Sequence, residues 1–504
     1  MSDPTAVSGT RRFLQFDPGL RYLRGSVAAM IVVLLSFWSM VELAGFAPVD
    51  VDAIVLSVVV AAMMTRRDLG TGLRERAADL CVLALATVVA ALIGMASHTV
   101  DLLGETLFVL ALGGFVWVRR FGPRAARIGT IATLPFIATL VTPLPIPVDA
   151  GFSLWALVGV AVAFGWATLV QWVRERPRES SEGVAARPEA RGSVRAEARS
   201  RTTTAAVTAT KGHRRPAPST RMAIQLVVAL SAAFLVGHVL FPEHVVWPVI
   251  TAFIVCAGNR GRGDVVYKGV LRTIGGLGGT IVATLVSGAA LPGGPGALVL
   301  IFLVLTVALW LRPVSYAYWA ACVTAVLALL YGYFGQTGPG VLESRLLGVL
   351  WGGALAIAAS WFILPVKTTD VLRRRSGDAV RALAAFTAAL QDGADRATVE
   401  ERRHAASRAV ERVSEVTPAI RALRRALSTL AKGRGVPIAI REWAGRRRIA
   451  AADLADLVIG ASPELERVSA AIDGDGDEQA ALQLLRQRMR AIKAALEEMR
   501  PAAG

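Results

Sequence analysis

The sequence predicts an all-α, polytopic membrane protein with two repeated six-helix halves, twelve transmembrane helices in total, and a cytoplasmic helical domain. Three observations support this class. Of the 504 residues, 54% are hydrophobic and only 18% are charged, whereas about 25% are charged in soluble domains. Apolar runs alternate with short connections that are rich in arginine. The second series of runs also repeats patterns of the first.

The apolar runs define the predicted membrane helices. Hydrocarbon offers no hydrogen-bond partner to the backbone, so each run is expected to form a helix, which satisfies its own backbone groups. Six runs precede a polar stretch and six follow it. They cover residues 25–44, 51–64, 77–96, 106–118, 128–141 and 154–173, and then 222–240, 245–257, 273–287, 296–311, 315–334 and 346–364.

The basic residues predict the orientation in the membrane. If the N-terminus is cytoplasmic, the short inner connections carry thirteen arginines and lysines, while the outer connections carry one, Arg345, and several acids. Such a bias is the positive-inside signal of membrane proteins. We therefore expect a multi-pass protein of the plasma (inner) membrane with both termini in the cytoplasm.

The two halves share sequence patterns at a constant offset of 193 residues. This offset relates Trp117 in "GGFVWVRR" to Trp310 in "TVALWLRP", and the Thr-Val-Val-Ala at Thr87 to the Thr-Ile-Val-Ala at Thr280. Each half holds an even number of predicted helices, so the repeat should be parallel, about an axis along the membrane normal. Two such copies would enclose a central pathway.

Composition divides the chain into five predicted segments. Residues 1–24 form a cytoplasmic N-terminal segment, 25–173 the first six-helix half, 174–221 a flexible cytoplasmic linker, 222–366 the second half and 367–504 a cytoplasmic helical domain. The linker is rich in Arg, Ala, Ser and Thr and lacks apolar periodicity. The last segment repeats apolar residues at three- and four-residue spacing, as amphipathic helices do.

Several functional classes are disfavoured. The formal net charge is +17, but the basic residues lie between apolar runs and in the tail, which favours the lipid bilayer and not nucleic acid as a partner. The sequence has no phosphate-binding loop, no recognisable Ser/His/Asp or Cys/His set and no zinc-ligand spacing. Its three cysteines lie inside apolar runs. We expect no enzyme activity, no cofactor and no metal site.

The run at 245–257 is short for a membrane span and is followed by the basic, glycine-rich connection "GNRGRG". Its counterpart at 51–64 is also short and also ends in arginines. Short spans at matching positions of two halves indicate a transporter's binding site, since a helix end inside the membrane presents unpaired backbone groups and a partial charge. Local thinning of the bilayer or tilt of neighbouring helices would also produce short runs.

Arg272 is the first candidate binding residue, because a guanidinium forms bidentate pairs with carboxylates. An arginine ahead of an apolar run would serve equally as an anchor at the membrane interface. The repeat places Asp79 opposite Arg272, so the halves either differ in function or pair across the axis between them. Basic residues near Arg272, among them Arg260 and Lys268, would raise the local concentration of anions.

Aromatic residues cluster in the second half. Trp247, together with Tyr318 or Trp319, would be suited to stack on the ring of a flat aromatic ligand. The alternative is that these side chains belong to the aromatic belt at the membrane interface.

The stretch from Trp247-Pro-Val-Ile-Thr251 through the basic gap to Tyr267-Lys-Gly-Val-Leu-Arg272-Thr-Ile-Gly-Gly resembles the fusaric acid resistance-like (FUSC) and aromatic acid exporter group. Members carry a tryptophan and a threonine on a short helix, then an arginine followed by glycines that opens the next helix. The resemblance covers roughly residues 222–364, and the first half is a weaker echo. Relatives often have Gly-Thr after the arginine where this chain has Gly-Gly.

The resemblance implies a transporter that exports small organic anions, especially aromatic carboxylic acids, from the cytoplasm. It makes Trp247, Thr251, Tyr267 and Arg272 candidate substrate-binding residues. Some relatives in double-membraned bacteria work with a periplasmic adaptor, and a homo-oligomer is a further option; the sequence decides neither. Two alternatives to the exporter are a passive anion channel, as in related plant proteins, and a membrane scaffold whose helical tail recruits partners.

Overall fold

The computed structural model describes residues 17, 20–65, 72–99, 101–141, 150–179, 216–287, 294–335, 339–432, 451–472, 474 and 477–499. These residues form helices, turns and short connections, with no strand among them. They separate into two compact units. One contains the described residues up to 257 together with 268–364, and the other contains 258–267 and the described residues from 365 onwards.

Twelve helices cover the described parts of the two predicted membrane halves. The first six are α1 (Arg21–Phe46), α2 (Val51–Met64), α3 (Leu73–Thr99), α4 (Asp101–Val118), α5 (Pro123–Val141) and α6 (Ala150–Glu179). The next six are α7 (Pro218–Leu240), α8 (Val246–Cys256), α9 (Arg262–Ser287), α10 (Pro295–Leu311), α11 (Tyr316–Tyr333) and α12 (Pro339–Phe362). Each contains or closely matches one predicted apolar run, and a short 3-10 turn, Arg119–Phe121, follows α4.

Among the residues that the structure describes, eight of these helices are long and apolar enough to cross a membrane, namely α1, α3 to α7, α11 and α12. The helices α2, α8 and α10 are apolar but shorter. The helix α9 is long but carries charged residues in its first half. The protein is thus an all-helical, multi-pass membrane protein with eight candidate spans among the described residues, and the twelve-span layout stays a prediction.

Helix packing in the two halves follows one pattern. In the first half α1, α2 and α6 pack against one another, and in the second half α7, α8 and α12 do the same. A glycine allows a close approach of two helices in each of these groups. A Cβ at Gly159 of α6 would lie 2.9 Å from the carbonyl oxygen of Ala53 in α2, and a Cβ at Gly352 of α12 would overlap the carbonyl oxygen of Pro248 in α8. Gly159 and Gly352 are 193 residues apart, which supports the predicted repeat.

The two halves contact each other through corresponding pairs of helices. The helix α4 packs against α7, and α10 packs against α1. His238 Nε2 of α7 lies 2.7 Å from Glu105 Oε1 of α4. The Ser26 hydroxyl of α1 donates to the Thr306 carbonyl of α10 at 3.1 Å. A first-half helix therefore meets a second-half helix at two related places, as expected for a parallel repeat.

The second unit has its own apolar core. Its helices are α13 (Thr368–Gln391), α14 (Arg396–Ser414), α15 (Thr417–Lys432), a helix at 451–459, α16 (Ala461–Ile472) and α17 (Glu478–Glu498). Leu383, Phe386, Val413, Leu454 and Leu485 are all fully buried in one cluster. The amphipathic periodicity of the sequence explains this core, since apolar residues one turn apart share a helix face.

Candidate functional site

A small cavity lies in the second half and is lined by residues of α8, α9, α11 and α12. Its volume is about 20 Å³, room for about one water molecule. Eight residues line it: Trp247, Ile250 and Thr251 of α8, Arg272 of α9, Leu327 and Tyr331 of α11, and Arg345 and Val349 of α12. Every lining residue belongs to the second half, whereas the sequence placed the pathway between the two halves.

Helical periodicity explains how three of these helices present the lining. Residues four positions apart lie one turn apart on the same helix face. Trp247 and Thr251 have this spacing in α8, Leu327 and Tyr331 have it in α11, and the pair of α12 is spaced likewise. Each helix therefore turns one consistent face towards the cavity.

Arg272 lies in the cavity wall, in the interior of the protein. It is ten positions after the first residue of α9, which corresponds to about 15 Å along the helix axis. Its side chain is almost completely buried, with 3% exposure. Its Nε atom is buried without a hydrogen-bond partner among the described residues. This placement favours a binding role for Arg272 over the interface anchor that the sequence also allowed.

A second arginine shares the cavity. Arg345 of α12 has 6% exposure, and its guanidinium donates a hydrogen bond to the carbonyl oxygen of Thr324. The positive charges of Arg272 and Arg345 act on each other unfavourably. In the part of the chain that the structure describes, neither forms an ion pair with a carboxylate. The cavity is therefore a buried, dibasic site.

Aromatic rings close one side of the cavity. The Trp247 ring lies 5.8 Å from that of Tyr331, edge to face, and 4.1 Å from that of His244 in the connection before α8. Burial lowers the pKa of His244, while the charge of Glu243 acts in the opposite direction. A lowered pKa makes His244 neutral at neutral pH, so the ring stacks on Trp247 without adding a third positive charge.

The other predicted site residues do not line the cavity. Lys268 is half-buried one turn before Arg272 on α9, and its charge acts on the Cys256 thiol. Tyr318 is 52% exposed. Trp319 packs against the apolar cluster of the first half, with the Arg312 guanidinium 4.8 Å from its ring centre. Tyr267 and Arg260 belong to the second unit.

Arg260 takes part in an ion-pair network of the second unit. Its Nε lies 3.2 Å from Glu415 Oε2, and it also donates to the Glu415 carbonyl at 3.1 Å. Arg375 contacts the same carboxylate at 2.9 Å. The neighbouring Gly263 amide donates to the Thr368 hydroxyl at 2.9 Å. In this structure the basic turn that follows α8 is held by the helical domain, so we leave Arg260 out of the proposed binding site.

The backbone conformation of that turn explains why it contains glycines. Gly258 and Gly261 have φ angles of +61° and +126°, which L-residues with a side chain rarely adopt. A Cβ at Gly261 would also lie 3.0 Å from the Thr368 backbone. The glycine-rich turn is therefore required by the chain path and by close packing within the second unit.

The corresponding positions of the first half carry no arginine. The 193-residue offset relates Tyr331 to Ala138 and Val349 to Ala156, both of which are buried in an apolar cluster. Asp79, the counterpart of Arg272, forms an ion pair with Arg127 of its own half. Asp79 and Arg272 thus do not form a pair across the axis, and the halves differ in the charge they bury.

The fold defines a polytopic helical membrane protein whose second half contains a buried dibasic cavity. Residues 228–359 match the family model described as fusaric acid resistance protein-like. The match confirms the resemblance predicted from the sequence and indicates a membrane transporter with a role in efflux. The matched range contains every residue that lines the cavity. Among curated proteins and among solved structures, no significant match is found.

Two lining residues with polar side chains, Arg345 and Tyr331, were missed by sequence reasoning. A signal for Arg345 did exist, because it is the one basic residue that the orientation analysis assigned to an outer connection. A basic residue in an outer connection is an exception to the positive-inside pattern. Such a residue is explained as well by burial inside the protein as by a position on the outer surface. Tyr331 gave a weaker signal, because tyrosines near helix ends are common in membrane proteins.

Proposed function

We propose that the protein exports small organic anions, in particular aromatic carboxylic acids, from the cytoplasm, and that Arg272 pairs with the carboxylate. The observation that carries this proposal is the pair of buried arginines at one cavity of the family-matched half. A buried charge without a partner is strongly unfavourable, so an anionic ligand gains from both guanidinium groups. Arginine also binds carboxylates bidentately.

The other lining residues fit the same ligand class. The Thr251 hydroxyl can donate a hydrogen bond to a carboxylate oxygen. The Trp247 and Tyr331 rings supply flat apolar surface for an aromatic ring. The cavity volume of about 20 Å³ admits only a particle about as large as a water molecule. Binding of a whole aromatic acid therefore requires the Trp247 and Tyr331 side chains to move apart, as transport through alternating access requires in any case.

The remaining parts of the proposal concern the membrane. We place the protein in the plasma (inner) membrane with cytoplasmic termini, because the arginine bias of the connections has this direction. The basic inner connections and Lys268 would raise the anion concentration at the cytoplasmic side. The two halves would together form the transporter, with the second half carrying the site.

Transport of radiolabelled benzoate into inverted membrane vesicles tests the proposal. We expect the wild-type protein to accumulate label and Arg272→Gln to fall to the level of vesicles without the protein, at equal protein level. Arg24→Gln is the matched control, because Arg24 is exposed on α1 and its loss removes the same charge. Undiminished transport by Arg272→Gln would remove Arg272 from the mechanism.

The same vesicles separate the exporter from a passive channel. Benzoate flux that follows an imposed membrane potential, and is indifferent to a proton gradient, would assign the channel function. Accumulation against the benzoate gradient would assign the exporter.

A further inference from the structure

The cavity of the second half concentrates positive charge, and it is small. We propose that between transport cycles it binds one small inorganic anion of the halide class between Arg272 and Arg345, and that a carboxylate substrate must displace this anion. The displacement rests on the proposed function, whereas the anion site rests on the cavity alone.

Charge is the first argument. Arginine keeps its positive charge in proteins, and both side chains are more than nine-tenths buried. The two charges repel each other, and within the described residues no carboxylate pairs with either. Glu343, two positions before Arg345 on the same helix, is exposed. One anion between the two guanidinium groups would offset both charges at once.

The hydrogen-bonding groups of the wall give the second argument. The buried Nε of Arg272 has no partner among the described residues. Arg345 is oriented by the bond it donates to the Thr324 carbonyl, and its guanidinium has further N–H donors. The hydroxyls of Thr251 and Tyr331 are available as additional donors at the same wall. This lining is rich in donors and carries no acid, which suits an anion.

Size selects the kind of anion. A cavity of about 20 Å³ holds one particle about as large as a water molecule. A monatomic anion meets this limit, whereas an aromatic acid does not fit while the Trp247 and Tyr331 rings lie 5.8 Å apart. A water molecule would also fit, but it would leave both positive charges without compensation. The small volume and the two buried positive charges together therefore favour a halide ion.

A resident halide has a consequence for transport. Substrate and halide would compete for the same two guanidinium groups. Raising chloride at constant ionic strength should therefore increase the apparent KM for benzoate without changing the maximal rate.

The anion site itself can be tested without transport. The full-length protein, purified in detergent, is unfolded thermally in increasing sodium chloride, with the sodium salt of a bulky sulfonate keeping the ionic strength constant. We expect a saturable rise in Tm for the wild-type protein, since a ligand that binds the folded state stabilises it by mass action. Arg345→Gln should lose the saturable rise, and Arg24→Gln should keep it.

Two further measurements distinguish loss of the anion site from misfolding of the Arg345→Gln variant. Arg345→Lys keeps the charge but loses the planar fork, so its saturable rise should require at least several-fold more chloride. Line broadening of the chloride NMR signal reports binding directly. It should be present with wild-type protein, absent with Arg345→Gln, and reversed by excess benzoate.

Each outcome bears on one proposal. The same chloride response in the wild-type protein and in Arg345→Gln, or no response in the wild type, would overturn the halide site. If Arg272→Gln loses benzoate transport and the wild-type protein shows no chloride response, the exporter proposal is supported and the halide site is rejected. Chloride binding that benzoate does not reverse, in a protein that does not transport benzoate, would retain the halide site and reject the exporter.

Discussion

An arginine deep in a membrane helix persists only where its charge is offset. In the first half Arg127 meets two acids, Asp79 and, at 3.7 Å, Glu75. In the second half Arg272 and Arg345 face a shared cavity instead, with no carboxylate partner among the described residues. At the scale of single residues, the halves differ because protein carboxylates compensate the partly exposed Arg127, whereas no described carboxylate pairs with the buried Arg272 and Arg345.

Trp247 should determine the preference for aromatic substrates. Replacement by leucine, Trp247→Leu, retains an apolar wall but removes the ring that contacts Tyr331 and His244. Aromatic contacts contribute about 0.5–1.5 kcal/mol beyond their buried area, which corresponds to about a 2- to 10-fold change in affinity. We expect the apparent KM for benzoate to rise by that factor in vesicle transport.

An aliphatic acid gives the control for this prediction. The apparent KM of Trp247→Leu for butyrate should change far less, because butyrate has no ring to stack. An equal rise for benzoate and butyrate would mean that Trp247 supports the shape of the cavity and does not recognise the ring.

Local sequence explains why some residues of the cavity lining were predictable. Trp247, Thr251 and Arg272 belong to one short motif, and all three line the cavity. The remaining lining comes from α11 and α12, whose approach to α8 depends on tertiary packing. Tyr318 and Trp319 share α11 with Tyr331, but at 100° per residue they lie about 140° and 120° away from it around the helix. Aromatic composition indicated the helix, whereas only packing defines its buried face.

At the scale of elements, the length of an apolar run was a good guide to some helices and a poor guide to others. The predicted run at 51–64 coincides with α2, Val51–Met64. By contrast, α9 begins at Arg262, eleven residues before the apolar run that predicted it. Polar residues such as Arg and Lys are good helix formers, so a helix continues where apolar character ends. Much of the predicted basic connection is therefore the first part of α9.

Glycines set the distance between α9 and α11. Gly275 and Gly279 lie one turn apart and face α11. A Cβ at Gly275 would lie 2.5 Å from the Ala317 carbonyl oxygen, and one at Gly279 would overlap the Ala321 backbone. Because Arg272 is on α9 and Tyr331 is on α11, this close approach also fixes the width of the cavity.

Two adjacent substitutions test this packing. Gly279→Ala inserts a methyl group against backbone atoms of α11 and should destabilise the protein by about 1–3 kcal/mol, as overpacking does. Gly278→Ala is the matched control, because a Cβ there meets nothing within 4 Å. It should be neutral or stabilising by up to about 1 kcal/mol, since alanine is the better helix former. Thermal unfolding in detergent measures both, and equal Tm values for the two variants would refute the packing role.

At the scale of the whole molecule, the two halves have the same arrangement of packed helices but bury different charges. The triads α1–α2–α6 and α7–α8–α12 correspond, as do the contacts α4–α7 and α10–α1. The 193-residue offset leads us to expect such a correspondence, because a duplicated chain would keep its helix order and its packing glycines; the duplication itself stays a prediction. The cavity was not predictable from it, since the first half has an acid, Asp79, at the position of Arg272 and apolar residues at the positions of Arg345 and Tyr331.

This asymmetry leads to a prediction about the position shared by Asp79 and Arg272. Asp79→Asn removes the carboxylate that pairs with Arg127, an arginine about one-third exposed that keeps Glu75 at 3.7 Å. We expect a loss of about 1–3 kcal/mol in stability, below the 3–5 kcal/mol of a fully buried pair because water and Glu75 still compensate the arginine. The apparent KM for benzoate should be unchanged at equal protein level. Arg272→Gln should show the opposite pattern, with transport lost and the folded protein retained. If Asp79→Asn raises the KM as well, the first half contributes to substrate binding and the transport path includes both halves.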